Sequence, residues 1–455
     1  MNIAEEKITA HSVTTDDNVT LDLENLSSLS DGLSVDNVVV VTGTFDETQK
    51  AQLDKLFNWN NLLVSLETVY DGNRMGLTSR VQSAEQFIIA NMNTGQFRNN
   101  QIQIAGLLDG YEKIEEVLRG LNTVAELEGL VNNLLAPELA ANAQTLPLNH
   151  PYFRVFNHIN NLSLNYGNDY YGKINSRSNS NSLIRGQSCS AINCNVAKTS
   201  REFWFEGYYQ GGKIDNDSNA LGYKTSRAGM MVGVDQYLGN NLLTGLIFGY
   251  GNPRAYNSIG RIEADDYTFG AYSRLKISNI YANLFLGYGK QSYLLRQNQT
   301  NTGYNGDSMY ASLEVFRPIL LNNNLSVAPL IALDFQKAWS DGFNVNVANI
   351  PLAIKKGDID QTVLRIGINS NYKNLRTRLQ YGYQVAGDCY GIAQTSITGG
   401  NRILSGVHLG RHTLNVGLGG DFSINNRTKL FVDYDFDLGE HANTHSGQFG
   451  FVRNF

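Results

Sequence analysis

The chain has 455 residues, with 36 Lys or Arg against 42 Asp or Glu and a net charge of −6. That length holds more than one domain, and an acidic balance without a basic patch argues against a nucleic-acid partner. Hydrophobic residues make up 42% but never gather into a run of about 18, so no helical membrane span is predicted; a barrel that hides apolar residues at every second position would look equally polar on average.

The N-terminal stretch MNIAEEKITAHSV puts charges where a secretory leader carries its apolar core. The expectation is a chain that is not exported, or one that begins downstream of its natural start. Residues 1–45 are polar with one β-like run, Val38 to Thr42, too little to form a core alone. In YEKIEEVLRGLNTVAELEGLVNNLL, the residues Ile114, Val117, Leu118, Leu121, Val124, Leu127, Val131 and Leu134 fall at helical spacing. This predicts an amphipathic helix broken near Gly120 or Gly129. Pro137, Pro147 and Pro151 punctuate, PYFRVFNHINNLSLNY reads as a second helix, and SRSNSNS (176–182) as a polar linker. Cys189 and Cys194, in CSAINC, have the spacing of a small disulfide loop or of free thiols, and with Cys389 they fall far from a zinc-site pattern.

After residue 200 the texture changes, and 18 of the 24 tyrosines lie there. Period-2 segments separated by turn signals predict about twelve strands. Their expected spans are 202–211, 226–237, 242–251, 264–277, 280–294, 307–319, 325–338, 362–371, 375–386, 412–423, 428–438 and 446–455. Leu379 and Tyr381 share a face opposite Arg376 and Arg378; Leu414, Val416 and Leu418 oppose Asp421; Val432, Tyr434 and Phe436 oppose Asp433, Asp435 and Asp437. Arg365 joins the charged series. A soluble sandwich alternates too, so the connections decide. They run short, then long, with long polar stretches at 212–225, 252–263, 295–306, 339–361, 387–411 and 439–445. That sorting fits an antiparallel transmembrane β-barrel. In it, Leu379, Tyr381, Leu414, Val416, Leu418, Val432, Tyr434 and Phe436 meet lipid. Arg365, Arg376, Arg378, Asp421, Asp433, Asp435 and Asp437 line the lumen, where Gly367, Gly382, Gly417 and Gly419 leave room for an occupant.

Four segments resemble the C-terminal translocator of autotransporter (type V secretion) proteins over roughly residues 95–455. They are REFWFEGYYQGG as first strand, RAGMMVGVDQYLGNNLLTGLIFGYG as a hairpin, GRHTLNVGLGGDFSINNRTKLFVDYDFDLG as the penultimate hairpin before a last strand ending in Phe, and the helical stretch upstream. The resemblance implies a mainly-β protein, a twelve-stranded barrel whose N-terminal helical linker enters the pore. It implies a passenger stub at 1–95, a helical linker at 96–150, a pore-threading segment and polar linker at 151–201, and the barrel at 202–455. It implies that Phe449, Phe451 and Phe455 form the signal read by the barrel-assembly machinery, with Arg453 at a position where an apolar residue is usual and snorkelling to the interface. Some members cut themselves between two Asn in the pore, and Asn160-Asn161 is the matching pair, in a chain where Asn-Asn also occurs at six other places.

The implied function is an outer-membrane barrel of a Gram-negative bacterium that translocates or anchors its own passenger at the cell surface, as a monomer. Outer-membrane lipid and the assembly machinery are its partners; no nucleic acid is expected. No cofactor, metal or enzymatic activity is expected apart from that cleavage. HLGRH (His408, His412) and HANTH (His441, His445) read as solvated loop histidines, lacking the Glu of a zinc-protease motif. The rivals are a surface adhesin module displayed by the barrel, a porin-like channel plugged by its helical segment and, more distantly, a soluble β-sandwich.

Overall fold

The computed structural model describes residues 8–10, 34–41, 44–57, 59–60, 62–91, 97–109, 111, 118, 121–148, 151–160 and 201–455, the last without 240, 298–299, 323, 348, 398–399 and 426. The Cys189–Cys194 loop, the linker at 176–182 and Asn161 lie outside the described residues. The chain forms two compact units: Met1–Leu135 with Asn346–Ala353 and Thr395–Ile403, and Ala136–Val345 with Ile354–Gln394 and Leu404–Phe455.

The first unit is a small mixed sheet with helices. Strands β1 (Ile8–Ala10), β2 (Ser34–Val41), β3 (Trp59–Asn60), β4 (Val64–Asp71) and β5 (Arg74–Val81) pair in the order β1-β2-β5-β4-β3. The β4–β5 hairpin turns at Gly72-Asn73, with Gly72 at φ 61°, the backbone a two-residue hairpin turn requires. Leu53, Met75, Leu77, Ile88 and Ile104 form buried positions of this unit. The helix Val124–Asn133 begins at a capping box: Glu126 N donates to Thr123 Oγ1 at 3.3 Å and Thr123 N to Glu126 Oε2 at 3.0 Å. The break at residues 121–123 falls near Gly120, as one of the two expected positions, whereas Gly129 sits inside the helix, because two satisfied N-terminal donors outweigh one glycine's propensity cost.

The second unit contains a closed antiparallel barrel of twelve strands. These are β6 (Arg201–Ile214), β7 (Tyr223–Leu238), β8 (Leu242–Tyr256), β9 (Arg261–Ile277), β10 (Ile280–Gln297), β11 (Thr300–Phe316), β13 (Leu325–Ser340), β16 (Gly357–Tyr372), β17 (Leu375–Gly387), β20 (His412–Ser423), β21 (Thr428–Gly439) and β22 (Ala442–Asn454). A short β12 (Ile319–Asn322) folds back on β13. First and last strands pair from Ala442↔Ile214 to Asn454↔Glu202, and β11 pairs β13 on the far side, so no edge is left open. Closure satisfies every ladder internally, which is what hydrocarbon demands.

The outer wall inverts the soluble pattern. Leu246, Phe269, Leu286 and Leu379 are all more than half exposed there, a continuous apolar surface that water would not tolerate. Tyr256 at the loop end of β8 and Tyr372 at the turn end of β16 are exposed near the two rims, where aromatic side chains sit at headgroup level. Among the described residues no helix is long and apolar enough to cross a membrane.

Two features differ from the sequence reading. The strands run well past the roughly ten residues needed to cross: β10 and β11 continue to Gln297 and from Thr300, and β21 and β22 are joined by 440–441 alone. Residues 295–297, 300–306, 439 and 442–445, expected in long loops, are ladder extensions; polar residues beyond the hydrocarbon still pair their backbones, since polarity does not break a strand. The remaining length asymmetry lies in 341–356 and 388–411. These carry the hairpins β14 (Phe343–Val347)–β15 (Ile350–Ile354) and β18 (Ile392–Ile397)–β19 (Gly400–Ser405).

Candidate functional site in the barrel lumen

Residues 136–148 and 151–160 occupy the barrel. At the loop end, Glu138 Oε1 accepts from Leu221 N (3.0 Å), Asn142 Oδ1 from Val407 N (2.9 Å), and Gln144 exchanges two bonds with the backbone of Ile392 (2.9 and 3.1 Å). Tyr310 Oη then donates to Pro147 O at 2.8 Å. Pro151 opens the helix 151–160, a position where its missing N–H costs nothing. Ten residues carry this helix about 15 Å down the lumen. Its last residues, His158 and Asn160, meet Asp235, Arg274 and Asn283, close to the short turns at 239–241 and 278–279. The chain thus enters at the loop end and finishes at the turn end, the end at which β6 begins.

The helix is apolar on one side and polar on the other, and the lumen matches both. Tyr152, Val155, Phe156 and Ile159 pack with Trp204, Met231, Ile247, Tyr272 and Phe285. These barrel aromatics face inward, unlike Tyr381, Tyr434 and Phe436 on the outer wall. The flat rings fit because glycines face them: a Cβ on Gly233 would lie 2.3 Å from the Trp204 ring, and one on Gly245 2.3 Å from Tyr272. Opposite, Arg154 lies 3.5 Å over the Tyr208 ring and its Nε 3.4 Å from Glu206.

The wall facing this helix carries a ladder of ion pairs. Arg365 Nε lies 2.5 Å from Asp334 Oδ2, and its Nη1 2.6 Å from Gln380 Oε1. Arg378 Nη2 reaches Asp435 Oδ1 at 2.6 Å, Arg376 Nη2 reaches Asp433 Oδ2 at 2.7 Å, and Arg376 also pairs with Asp421. Arg365, Arg376, Arg378, Asp433 and Asp435 are buried, while Asp421 and Asp437, towards the two ends, are half-buried. Each buried charge of this ladder has a partner, as burial requires. A cavity of about 260 Å³ remains beside the helix, lined by Tyr152, Arg154, Arg227, Arg365 and Asp435 among others, room for only a handful of waters.

Asn160 ends the described helix in a polar cradle. Its Nδ2 donates to Glu314 Oε1 (2.9 Å); its Oδ1 accepts from Arg274 Nη2 (2.6 Å) and Asn283 Nδ2 (2.9 Å). Arg274 also donates to Ile159 O. A carboxylate on the amide nitrogen is the base that a nucleophilic amide needs; Arg274 bonds the side-chain amide oxygen and the preceding carbonyl, that of Ile159.

The remaining sequence candidates lie on the wall. Leu379, Tyr381, Leu414, Val416, Leu418, Val432, Tyr434 and Phe436 are exposed on the outside. Phe449 and Phe455 are exposed, Phe451 packs 5.9 Å from both Phe203 and Phe205, and Arg453 lies 5.6 Å from the Phe455 ring. His408 and His412 are not brought together: His408 lies against His441, and His412 against Tyr381 and Glu440. Sequence reasoning missed His158, Glu202, Glu206, Asp235 and Glu314. One signal was available. In REFWFEGYY, Glu202, Trp204, Glu206 and Tyr208 share one parity, and carboxylates on a face with Trp and Tyr suit a lumen better than lipid.

A family model described as the autotransporter beta-domain matches residues 203–435, just over half of the chain. Among solved structures, the translocator domain of the autotransporter NalP from Neisseria meningitidis is similar at 15% identity and TM-score 0.47, covering 57% of this chain and 90% of that one. The transport unit of the autotransporter AIDA-I from Escherichia coli is similar at 17% identity and TM-score 0.42, covering 58% and 93%. The beta domain of the Bordetella autotransporter Brka is similar at 16% identity and TM-score 0.39, covering 56% and 100%. No curated protein matches the chain. With a twelve-stranded barrel closed around its own upstream segment, the chain belongs to the autotransporter beta-domain family and is an outer-membrane β-barrel translocator of its passenger.

Proposed function

We propose that the barrel, after translocating its upstream segment, keeps that segment tethered at the cell surface through the lumen helix. The observation that carries this reading is the path of residues 136–160, from the loop end to the turn end, beside the start of β6. Short turns face the periplasm in such barrels, so whatever precedes residue 136 lies on the outer side. In this reading residues 1–95 are the passenger portion, 96–150 the linker, 151–201 the pore segment and 202–455 the membrane anchor. The lumen charges Arg365, Arg376, Arg378, Asp433 and Asp435 hold the wall in register. Phe449, Phe451 and Phe455 present an aromatic outer edge to the assembly machinery and then to lipid. The barrel acts as a monomer. An epitope inserted before residue 45 tests the tether: antibody should reach it on intact cells, and labelling only after permeabilisation would sink the reading. Neither an adhesin module nor a porin-like channel plugged by its helical segment is favoured over the translocator by the family match.

One observation favours a second reading, release by self-cleavage at Asn160-Asn161. With Glu314 as base, Asn160 Nδ2 attacks its own carbonyl carbon, the bond to the Asn161 nitrogen breaks, a succinimide forms, and the proton passes to the leaving amine. Mass spectrometry of barrels recovered from the outer membrane separates the two fates. A fragment beginning at Asn161, lost in Glu314→Gln and Asn160→Ala, means release. An uncut chain rejects cleavage and leaves the tether standing.

A further inference from the structure

We propose that the turn end of the lumen holds one divalent transition-metal ion of zinc type, bound by His158, Glu202 and Asp235, which clips the lumen helix to strands β6 and β7. Ligand atoms of these three residues lie within 4.8 Å of one another. They come from the helix and from two adjacent strands, with Glu202 directly opposite Asp235 in the ladder. All three are more than nine-tenths buried.

Two features point to a missing cation rather than a closed hydrogen-bond network. Oε2 of Glu202 and Oδ1 of Asp235 are buried without a hydrogen-bond partner. Among the described residues, no Arg or Lys makes an ion pair with either carboxylate, and Asp235 meets the imidazole of His158, Nε2 to Oδ2 at 3.1 Å. Like charges directly opposite in a ladder destabilise it, and buried carboxylates are held by a paired charge or a metal. One imidazole nitrogen and two carboxylate oxygens form a ligand set that zinc accepts, with the fourth position left to water.

The surroundings also orient the ligands. The His158 ring stacks on Trp204 with centroids 4.5 Å apart. Trp204 Nε1 donates to Tyr272 Oη (2.9 Å), which donates to Asp235 Oδ2 (2.7 Å). Such outer contacts fix ring plane and carboxylate rotamer around a metal. The site lies within the barrel unit and belongs to the uncut, tethered chain of the proposed function, because cleavage at Asn160-Asn161 would carry His158 away.

The test uses the full chain in detergent micelles, stripped with EDTA, titrated with zinc chloride and desalted before elemental analysis. Wild type should retain about one zinc per chain. Glu202→Gln and Asp235→Asn should each bind about a hundredfold more weakly or worse. A variant with His408, His412, His441 and His445 all changed to Ala should still retain the ion. Unboiled gel mobility shows which variants have closed barrels, and the wild-type titration decides even if a variant fails to close. Wild type that retains no zinc overturns the proposal. Retention that disappears with the four loop histidines but survives Glu202→Gln and Asp235→Asn overturns it equally.

Discussion

Replacing Arg378 by Met should expose how much the barrel depends on its lumen ladder. The guanidinium sits between two aspartates, with Nη2 and Nε 2.6 and 3.2 Å from Asp435 Oδ1 and Nη1 3.4 Å from Asp433 Oδ1. Without it, Asp433 keeps Arg376 Nη2 at 2.7 Å, but Asp435 keeps only Gln448 Nε2 at 3.3 Å. Removing one partner of a buried pair costs about 3–5 kcal/mol. Asp435 borders the lumen cavity, where water reaches it, so the low end applies, about 3 kcal/mol. Adding Asp435→Asn should recover about 1.5–3 kcal/mol, the worth of a hydrogen bond to a charged group. Urea unfolding in micelles, followed by tryptophan fluorescence and by unboiled gel mobility, reads both changes. Leu379→Arg, one residue along on the outer wall, serves as the opposite control and should cost about 2–4 kcal/mol near the midplane. An Arg378→Met barrel within about 0.5 kcal/mol of wild type, or a double variant equal to the sum of the singles, would refute the reasoning.

Neighbouring glycines should respond differently to a methyl group. A Cβ on Gly419 would lie 2.0 Å from Asp433 Oδ1, whereas one on Gly420 meets nothing closer than 3.6 Å; Gly419→Ala should cost about 1–3 kcal/mol and Gly420→Ala under about 0.5 kcal/mol in the same titration. Asp388, at the start of the loop 388–411, has its carboxyl raised from 3.8, first by burial and then by Asp360 and Asp358. A raised acid in the folded state favours its proton, so its contribution is fully present below 3.8 and is lost as pH climbs through the higher folded value. Asp388→Asn should therefore protect the loop's amides from exchange at about pH 7 and change nothing at about pH 3; equal protection at both would refute the assignment.

The barrel is legible in the sequence because period-2 alternation is a local signal, and KLFVDYDFDLG carries it within one strand. Where strands end is less legible: residues 295–306 are polar, and nothing local says that Gln297 and Thr300 still pair. The β4–β5 hairpin had a usable signal in YDGNRM, a Gly-Asn turn between alternating runs, yet residues 1–95 read as partly irregular because their strands lack strong apolar faces. Alternation sets Arg376 and Arg378 on one face but cannot name Asp433 and Asp435 as their partners, since that depends on register across β17, β20 and β21. His158 and Asn160 are harder still. Their partners lie on strands 77 to 154 residues away, and a helix inside a barrel has no periodicity distinct from any amphipathic helix.

The seam between β6 and β22 also dictates an order of events. Glu202 pairs Asn454 across almost the whole barrel sequence, whereas every other neighbouring pair is closer along the chain. Bringing distant ends together is the slowest and entropically dearest pairing, so this ladder zips last. A helix bonded to strands around the lumen, through Glu206, Asp235, Arg274 and Glu314, is set before the gap shuts. The sheet then winds round a mandrel already in place, and the chain that it exports serves as the former on which the exporter is built.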